Sequence, residues 1–187
     1  MSDIFVPSDL GTTPDNEFMF LGEVVRGLDF PSDHRILEIG ALLGKSTITM
    51  ALVANHHIYS IDPHDGPWET FTDLVEKTGQ GEPRNRRAEV GNTYDQFITN
   101  LDLYGVSDKV TPIQAFSDQV KWSAGPICLL FIDGDHSYVW VKHDYEKFSP
   151  HVVSGGLSAF HDYAPDGRTL DGRRSGHIGV AKAVDEI

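Results

Sequence analysis

Five short runs rich in Ile, Val and Leu recur along the chain, and they restrict its fold more than any other feature. They occupy residues 35–41, 57–62, 110–115, 127–133 and 156–162. Four of the five are almost continuously apolar through their centres, as expected for strands whose sheet is covered on both faces. Patterns typical of helices fall between them, at residues 46–54, 92–104 and 139–148. This alternation predicts an α/β fold built on a doubly wound parallel sheet.

A further helix is predicted before the first strand, over residues 13–28. Thr13 can cap its amino end, and Pro14 suits the first helical position. Four apolar side chains then lie on one face: Phe18, Leu21, Val25 and Leu28. We expect this helix to cover one end of the sheet, and a last helix to begin near Gly179.

The length and charge of the chain limit its domain count and its partners. A chain of 187 residues fits one domain, because a single core usually serves about 100 to 200 residues. Its 15 basic and 28 acidic side chains give a net charge of −13. Because such a surface repels phosphate backbones and anionic lipid, we expect no nucleic-acid or membrane partner.

The single cysteine and the first residues favour the cytoplasm. Cys128 lies in an apolar run, where it cannot form an internal disulfide and should behave as a small buried hydrophobic residue. No apolar stretch approaches the ~20 residues of a membrane helix, and the start lacks the features of a secretion signal. We therefore expect a cytoplasmic protein without a targeting segment.

A long connection follows the second strand. Residues 63–91 are rich in glycine and proline, and a connection of this length usually forms a functional lid or is locally disordered. We predict a functional lid, in which a tryptophan and three arginines could select an acceptor, although exposed arginines in a glycine-rich loop more often serve solvation alone. The residues concerned are Trp68, Arg84, Arg86 and Arg87. The loop 164–176 is expected to border the same pocket.

The turn after the first strand carries glycines that indicate a ligand site. In open α/β sheets this turn presents backbone N–H groups and a helix amino terminus to small polar or anionic ligands. A phosphate-binding P-loop needs four residues between its glycine and the Gly-Lys pair, but three separate Gly40 from Gly44. A dinucleotide fingerprint needs glycines where this chain has Leu42 and Lys45. Both classes stay open as alternatives with imperfect spacing.

A third interpretation uses an acidic residue two positions before the first glycine. Glu38, Gly40 and Gly44, with Asp62 at the end of the second strand, resemble motif I and its acidic partner in the class I S-adenosylmethionine-dependent methyltransferases. Leu42 stands where the family's commonest pattern has a middle glycine. The resemblance implies that Asp62 accepts hydrogen bonds from both ribose hydroxyls, whereas its alternative role is to cap a turn. The cofactor-binding set implied here is Glu38, Gly40, Ala41, Gly44, Ser46 and Asp62.

Two blocks at the ends of the fourth and fifth strands carry a more specific resemblance. The first is Asp133-Gly134-Asp135-His136-Ser137-Tyr138, and the second is His161-Asp162. They are similar to a methyltransferase subfamily that contains many sugar and natural-product O-methyltransferases, and the resemblance spans residues 13–187. It implies a Rossmann-like sheet and methylation of a small hydroxylated acceptor. A cofactor-binding module without catalysis is the alternative from another functional class.

Polar side chains at the ends of these strands should meet at one rim of the sheet, because parallel strands four and five are expected to be neighbours. They are Asp133, Asp135, His136, His161 and Asp162. Clustered carboxylates are costly unless a cation or proton joins them, which favours a divalent metal. The resemblance implies Asp133, His161 and Asp162 as ligands. Since His161 replaces a carboxylate of the metal-dependent relatives, both Mg²⁺ and a transition metal stay open.

Methyl transfer to oxygen needs a group that removes the acceptor proton while the oxygen approaches the sulfonium carbon. We predict His136 as the first candidate base, because imidazole titrates nearest to working pH, and Asp135 as the second. A hydrogen bond within the turn is the alternative role of His136. Asp133 is also predicted to be catalytic, because we expect its loss to reduce turnover more than cofactor affinity. Since it ends strand four, it is also expected to border the cofactor.

Other residues near the predicted site receive lesser roles. The resemblance implies that Phe116 and Ser117 contact the adenine, and Asp133 completes the cofactor-binding set. Tyr138 and Asp144 are expected to be structural on the helix after strand four. No role is predicted for three histidines: His143, His151 and His177.

The resemblance also implies the strand order 3-2-1-4-5. Class I methyltransferases usually finish with a hairpin of strands six and seven, which we expect to be absent from this chain. The edge of strand five would then be unpaired unless another chain covers it, so we expect a homodimer.

Overall fold

A parallel sheet of five strands forms the centre of the protein, in the predicted order β3-β2-β1-β4-β5. The computed structural model describes residues 3–10, 15–64, 93–164 and 177–187. Its strands are β1 Arg35–Ile39, β2 His57–Asp62, β3 Val110–Gln114, β4 Ile127–Ile132 and β5 Val152–Phe160. The helices in these ranges are α1 Asp15–Arg26, α2 Lys45–Val53, α3 Tyr94–Leu103, α4 Tyr138–Phe148 and α5 Ile178–Asp185. The Rossmann-like α/β architecture is thereby confirmed.

Apolar side chains cover both faces of the sheet, because successive residues of a strand point to opposite sides. On one face Ile36, Ile58 and Leu129 pack with apolar residues of α1, α2 and α3. On the other face Leu37 packs in a second cluster that contains Phe148 of α4. Burial of each large aliphatic side chain stabilises the fold by ~1.5–3 kcal/mol. The continuous apolar runs of β1 and β4 thus reflect their central position in the sheet.

The register brings the carboxyl ends of the strands to one edge of the sheet. Ile39 at the end of β1 pairs with Ile61 of β2 and Ile132 of β4, and Ile132 pairs with Phe160 at the end of β5. The turns after these strands therefore start side by side. Open α/β sheets bind ligands at this edge, where the strand order reverses between β1 and β4.

The fifth strand begins earlier than the predicted 156–162, because it runs over Val152–Phe160. Gly155 has a φ of 81°, and the register shifts beside it. Ile127 pairs with Val152, whereas Leu129 pairs with Leu157. A bulge therefore absorbs the extra residues of β5. The sequence pattern missed the start of the strand because glycines interrupt its apolar character.

The other predicted boundaries agree with the structure within about two residues. β1, β3 and β4 end slightly earlier than predicted, and α1 lies within the predicted 13–28. Several sequence predictions fall outside the described residues: the Thr13-Pro14 cap, most of the lid 63–91 with Trp68 and its arginines, and all but the first residue of the loop 164–176. In the part of the chain that is described, no helix is both long and apolar enough to cross a bilayer.

A buried carboxyl group ties β1 to α2 and β2. The Glu38 side chain is fully buried and accepts hydrogen bonds from the hydroxyl groups of Ser46, Thr47 (2.5 Å) and Ser60 (2.8 Å). Burial raises the pKa of Glu38 to about 7, against the opposing effect of these hydrogen bonds. Glu38 therefore holds the first strand to the helix that follows the glycine turn.

This buried carboxyl group predicts a pH-dependent stability. The folded protein binds the Glu38 proton up to a pH of about 7, whereas the unfolded chain releases it near 4.5. Between these values the folded state holds more protons, so the free energy of unfolding should fall as pH rises, by on the order of a few kcal/mol. Urea unfolding at pH 5 and pH 8 measures this difference.

The variant Glu38→Gln provides the control, because an amide does not titrate in this range. The loss of stability between pH 5 and pH 8 should be clearly smaller in Glu38→Gln than in the wild type. An equal loss in both proteins would show that Glu38 is already ionised at pH 5 and would contradict the assignment.

Candidate active site

The glycine turn after β1 packs directly against the end of β4. Gly40 has a φ of 95°, and a Cβ atom at this position would overlap the carbonyl oxygen of Asp133 and lie 2.8 Å from the Gly134 nitrogen. Only glycine fits both the backbone angle and the space. The turn therefore begins in contact with the first residue of the predicted catalytic block.

Leu42 occupies a left-handed conformation, with a φ of 49°. This is the position where the commonest motif I pattern has a glycine, and a leucine there is strained. A hydrogen bond from the Leu42 N–H to Asp62 Oδ2, of 2.8 Å, holds the conformation. A residue other than glycine therefore takes the left-handed conformation at this point of the turn.

Asp62 joins the ends of the first two strands. Its Oδ2 accepts from Leu42, and its Oδ1 accepts a 2.7 Å hydrogen bond from the backbone N–H of His64. The Asp62 side chain is only 15% exposed, which fits the turn-capping alternative. Each carboxylate oxygen nevertheless has a second lone pair, so a role in ribose binding is compatible with this geometry.

Lys45 argues against the P-loop alternative. Its ammonium group is almost fully buried and lies 2.7 Å from Asp15 Oδ1 of α1. A P-loop lysine must instead reach the phosphates of a nucleotide. The structure uses Lys45 to attach α1 to the start of α2, so the nucleotide-binding interpretation is not supported.

Four side chains that follow β4 and β5 converge at the carboxyl edge. Asp133, His136, His161 and Asp162 each place one ligand atom within 4.8 Å of the others, which makes this a candidate metal centre. Asp133 Oδ1 lies 3.3 Å from His136 Nε2 and 3.0 Å from His161 Nδ1. Asp162 Oδ2 lies 3.4 Å from His136 Nε2 and 3.3 Å from His161 Nδ1. We call these four residues the acidic-imidazole cluster.

Asp162 reaches the cluster through a special backbone conformation. The His161 N–H donates to the carbonyl oxygen of Ile132 at 3.0 Å, which continues the β4–β5 pairing. Asp162 then adopts a left-handed φ of 58°, a conformation that Asp tolerates better than most residues. The chain turns at Asp162, and both side chains stay beside Asp133.

The charges in the cluster are strongly coupled. Burial lowers the pKa of His161, but its contacts with Asp133 and Asp162 outweigh burial and raise that pKa to about 11. Burial raises the pKa of Asp162, yet His161 and the neighbouring histidines outweigh it and lower that pKa to about 2. Both shifts have the same cause, which is the close contact between imidazole and carboxylate groups, and the site is therefore suited to positive charge.

Asp135 does not join the cluster, although the sequence predicted that it would. Its side chain is exposed, and its Oδ1 accepts a 2.7 Å hydrogen bond from the backbone N–H of Ser137. Asp135 therefore forms an Asx turn just before α4, a common use of Asp. Tyr138 and Asp144 on α4 make structural contacts, since Tyr138 donates to Glu186 and Asp144 accepts from Ser117 at 2.5 Å.

The predicted cofactor-binding side chains differ in what they present to a ligand. Phe116, after β3, is 48% exposed and free to stack on a flat group. The Ser117 and Ser46 hydroxyl groups are both used inside the protein, on Asp144 and Glu38. Ala41 is buried and offers only its backbone. The polar side chains near the turn thus mainly support its backbone.

Two residues of the site were missed by the sequence analysis. His177 places its Nε2 3.5 Å from Asp162 Oδ2, and its ring centroid lies 4.2 Å from that of His136. Glu17, on α1, places its Oε2 3.1 Å from His161 Nε2. His177 is close because α5 packs tightly on this turn: a Cβ atom at Gly179 would lie 2.5 Å from the His136 carbonyl oxygen.

A cavity of about 260 Å³ lies elsewhere in the protein. It is lined by Ser32, Ala54, Asn55, His56, His57, Asp108 and Lys109. These residues precede β1, β2 and β3 or begin β2, so the cavity opens at the amino edge of the sheet. It shares no residue with the acidic-imidazole cluster and is not its acceptor pocket.

Solved structures of three O-methyltransferases are similar to this chain. NovP gives a TM-score of 0.62 at 18% identity, over 91% of this chain and 69% of NovP. An O-methyltransferase from Bacillus cereus in complex with SAH gives 0.62 at 16% identity, over 97% and 72%. TomG from Streptomyces achromogenes, in complex with SAM, gives 0.58 at 16%, over 96% and 70%. At these identities the similarity demonstrates a shared fold.

A family match adds what fold similarity alone cannot. Residues 37–163 match the family described as a methyltransferase domain. The matched segment is more than half of the chain, and it contains the glycine turn, Asp62 and all four members of the acidic-imidazole cluster. This chain belongs to the methyltransferase domain family.

Proposed function

We propose that the protein transfers the methyl group of S-adenosylmethionine to an oxygen of a small hydroxylated acceptor. One observation carries this proposal: the glycine turn of Gly40 is packed on the residue that opens the acidic-imidazole cluster. A donor held by the turn would have its reactive end beside groups that can handle an acceptor hydroxyl. The O-methyltransferase names of the structural neighbours, two of them in SAH or SAM complexes, agree with this proposal.

In this proposal the turn and the end of β2 hold the donor. The backbone of Gly40, Ala41 and Gly44 lies against the amino acid portion of the cofactor, next to the start of α2. Asp62 accepts from the ribose hydroxyls with the lone pairs that Leu42 and His64 leave open. Among the remaining predicted contacts, Phe116 stacks on the adenine, and Ser117 offers its backbone. Glu38 and Ser46 act indirectly, by fixing the turn from inside.

The transfer step is a displacement at carbon. The acceptor oxygen forms a bond to the methyl carbon while the carbon–sulfur bond breaks, and the sulfonium becomes the neutral thioether of S-adenosylhomocysteine. The acceptor proton passes to a base, for which His136 Nε2 is the first candidate because it faces the cluster. The second sequence-predicted base, Asp135, lies outside the cluster and is held by the Ser137 N–H.

The residues of the cluster fit a divalent metal. The donor set combines two carboxylates with two imidazoles, and buried His161 Nδ1 has no hydrogen-bond partner of acceptable geometry among the described residues. We propose Asp133, His161 and Asp162 as ligands, which leaves His136 Nε2 as the base. Imidazole nitrogen favours a transition metal over Mg²⁺. A cation bound there would lower the pKa of the acceptor hydroxyl and orient it.

Calorimetry combined with an activity assay tests the proposed function. S-adenosylmethionine and S-adenosylhomocysteine should both bind to the wild-type protein. Methyl transfer to a panel of small phenols and sugars should be lost with a chelator and return with a divalent cation. Turnover that is unchanged by the chelator would contradict the proposed role of the metal but not the methyltransferase activity.

The same experiment separates the alternative classes. Cofactor binding without turnover on any acceptor would favour a binding module without catalysis. Failure of both S-adenosyl compounds to bind, with tight binding of ATP instead, would overturn the methyltransferase proposal in favour of a nucleotide-binding protein.

Two substitutions should separate donor binding from chemistry. Asp62→Ala should weaken S-adenosylmethionine affinity by about 10-fold or more, since each charge-assisted hydrogen bond contributes ~1.5–3 kcal/mol. Asp133→Ala should leave this affinity within about 3-fold and reduce turnover by about 100-fold or more, because it removes a group at the acceptor.

The control for both substitutions is Asp95→Ala, which removes an exposed carboxylate on α3. Its affinity and turnover should match the wild type. Unchanged cofactor affinity in Asp62→Ala would contradict the proposed binding of the ribose by Asp62. Full turnover in Asp133→Ala would contradict the proposed catalytic role of Asp133.

We also propose that a second copy of the chain covers the edge of β5. In the described residues this strand pairs only with β4, and Leu157 on it is 43% exposed. Unpaired edges favour association. Light scattering at working concentration should give the mass of a homodimer, and Leu157→Lys should shift it toward the monomer. A wild-type monomer would contradict this assembly.

A cytoplasmic location is proposed from the single thiol. Cys128 is buried, and burial raises the pKa of its thiol, as suits an unreactive cysteine in a reducing compartment. Cell fractionation with an antibody to the chain tests this, and recovery in an exported fraction would contradict it.

A further inference from the structure

We infer that Glu17 is a positioning residue that orients His161 as a metal ligand. Its carboxylate accepts a hydrogen bond from His161 Nε2–H. The other ring nitrogen, Nδ1, then faces Asp133 and Asp162. The inference rests on the metal part of the proposed function. It assigns a role to a residue of α1, which lies 144 positions before His161 in the sequence.

The contact between the two side chains is well defined. Glu17 Oε2 lies 3.1 Å from His161 Nε2, and the His161 side chain is only 11% exposed. A carboxylate can only accept a hydrogen bond, so the ring nitrogen beside it must carry the proton. The contact therefore fixes the orientation of the ring, and in the neutral form that can bind a cation it keeps the remaining proton on Nε2.

Neighbouring residues on α1 hold Glu17 in this place. Asp15 forms the 2.7 Å ion pair with buried Lys45. Phe18 is buried and stacks on the His161 ring, with 5.7 Å between the centroids and an angle of 18°. Glu17 thus lies between two anchors, one on α2 and one on the imidazole itself. Its position does not depend on the His161 hydrogen bond alone.

The chemistry of imidazole explains why this site needs such a residue. A carboxylate ligand has lone pairs on both oxygens, whereas a neutral imidazole binds a cation through one nitrogen and carries a proton on the other. A carboxylate that accepts this proton sets the ring orientation and raises the basicity of the ligating nitrogen. Glu17 is placed to be this partner of His161.

Titration with Co²⁺, followed by its visible absorption and by calorimetry, tests the inference on the full chain. Glu17→Gln should bind Co²⁺ about 10-fold or more weakly than the wild type, the loss typical when such a partner is removed. Glu23→Gln is the matched control, because it neutralises an exposed carboxylate on the same helix that pairs only with Arg26 among the described residues. Its Co²⁺ affinity should match the wild type, and thermal unfolding should show all three proteins folded.

Nuclear magnetic resonance of the Zn²⁺-loaded protein distinguishes this role from a purely structural ion pair, because it reports which His161 nitrogen binds the metal and which carries the proton. The wild type should show His161 coordinated through Nδ1, with a hydrogen-bonded Nε2 proton. This proton resonance should shift upfield in Glu17→Gln and stay unchanged in Glu23→Gln. An unchanged resonance and an unchanged Co²⁺ affinity in Glu17→Gln would overturn the inference while leaving the proposed function intact.

Failure of the proposed function would look different. A wild-type protein that bound neither Co²⁺ nor Zn²⁺ would overturn the metal part of that function, and the role of Glu17 with it. Coordination of Zn²⁺ by His161 through Nε2 would overturn the inference alone.

Discussion

The contact between Gly40 and Asp133 is the constraint on which the rest of the site depends. The backbone of the first turn passes so close to the end of β4 that a Cβ atom at position 40 would overlap the Asp133 carbonyl oxygen. This packing places the donor turn and the acidic-imidazole cluster at adjacent points of one edge. The left-handed turn, stabilised by Asp62 and by buried Glu38, then offers its backbone groups to a ligand beside the cluster.

Electrostatics give this edge its chemical character. Asp133 and Asp162 face two imidazoles at distances of 3.0 to 3.4 Å, and Glu17 adds a third carboxylate behind His161. Carboxylates held this close are stable only with compensating positive charge. The histidine side chains supply part of it, and a divalent cation fits the same set of ligand atoms. The cluster thus combines a place for a cation with groups that can accept a proton.

Much of the fold could be predicted because its signals are local. Short runs rich in apolar residues identified all five strands, four of them almost continuously apolar, and parallel strands then placed Asp133 and Asp162 at the same edge. β5 was the exception, since its start is hidden by Gly155 and a bulge. The turn could be predicted from its glycines although Leu42 departs from the usual motif. A hydrogen bond to Asp62 holds Leu42 in the left-handed conformation that a glycine would adopt.

The site was harder to predict, because part of it depends on packing between distant segments. Glu17 looks like an ordinary polar position on an amphipathic helix, and only the docking of α1 through Phe18 brings it to His161. Asp135 shares a short motif with Asp133, but its side chain is exposed and forms a turn with the Ser137 N–H before α4. Spacing along a sequence identifies which strand end a residue follows. It does not specify the direction in which its side chain points.

Diffraction from crystals grown with S-adenosylhomocysteine and Mn²⁺, recorded at a wavelength where manganese scatters anomalously, tests the central claim most directly. The account predicts the adenosyl group between the turn at Gly40 and Asp62, and an anomalous peak at coordination distance from Asp133, His161 and Asp162. Density for the cofactor at any other edge of the sheet, or a peak remote from these three residues, would contradict it.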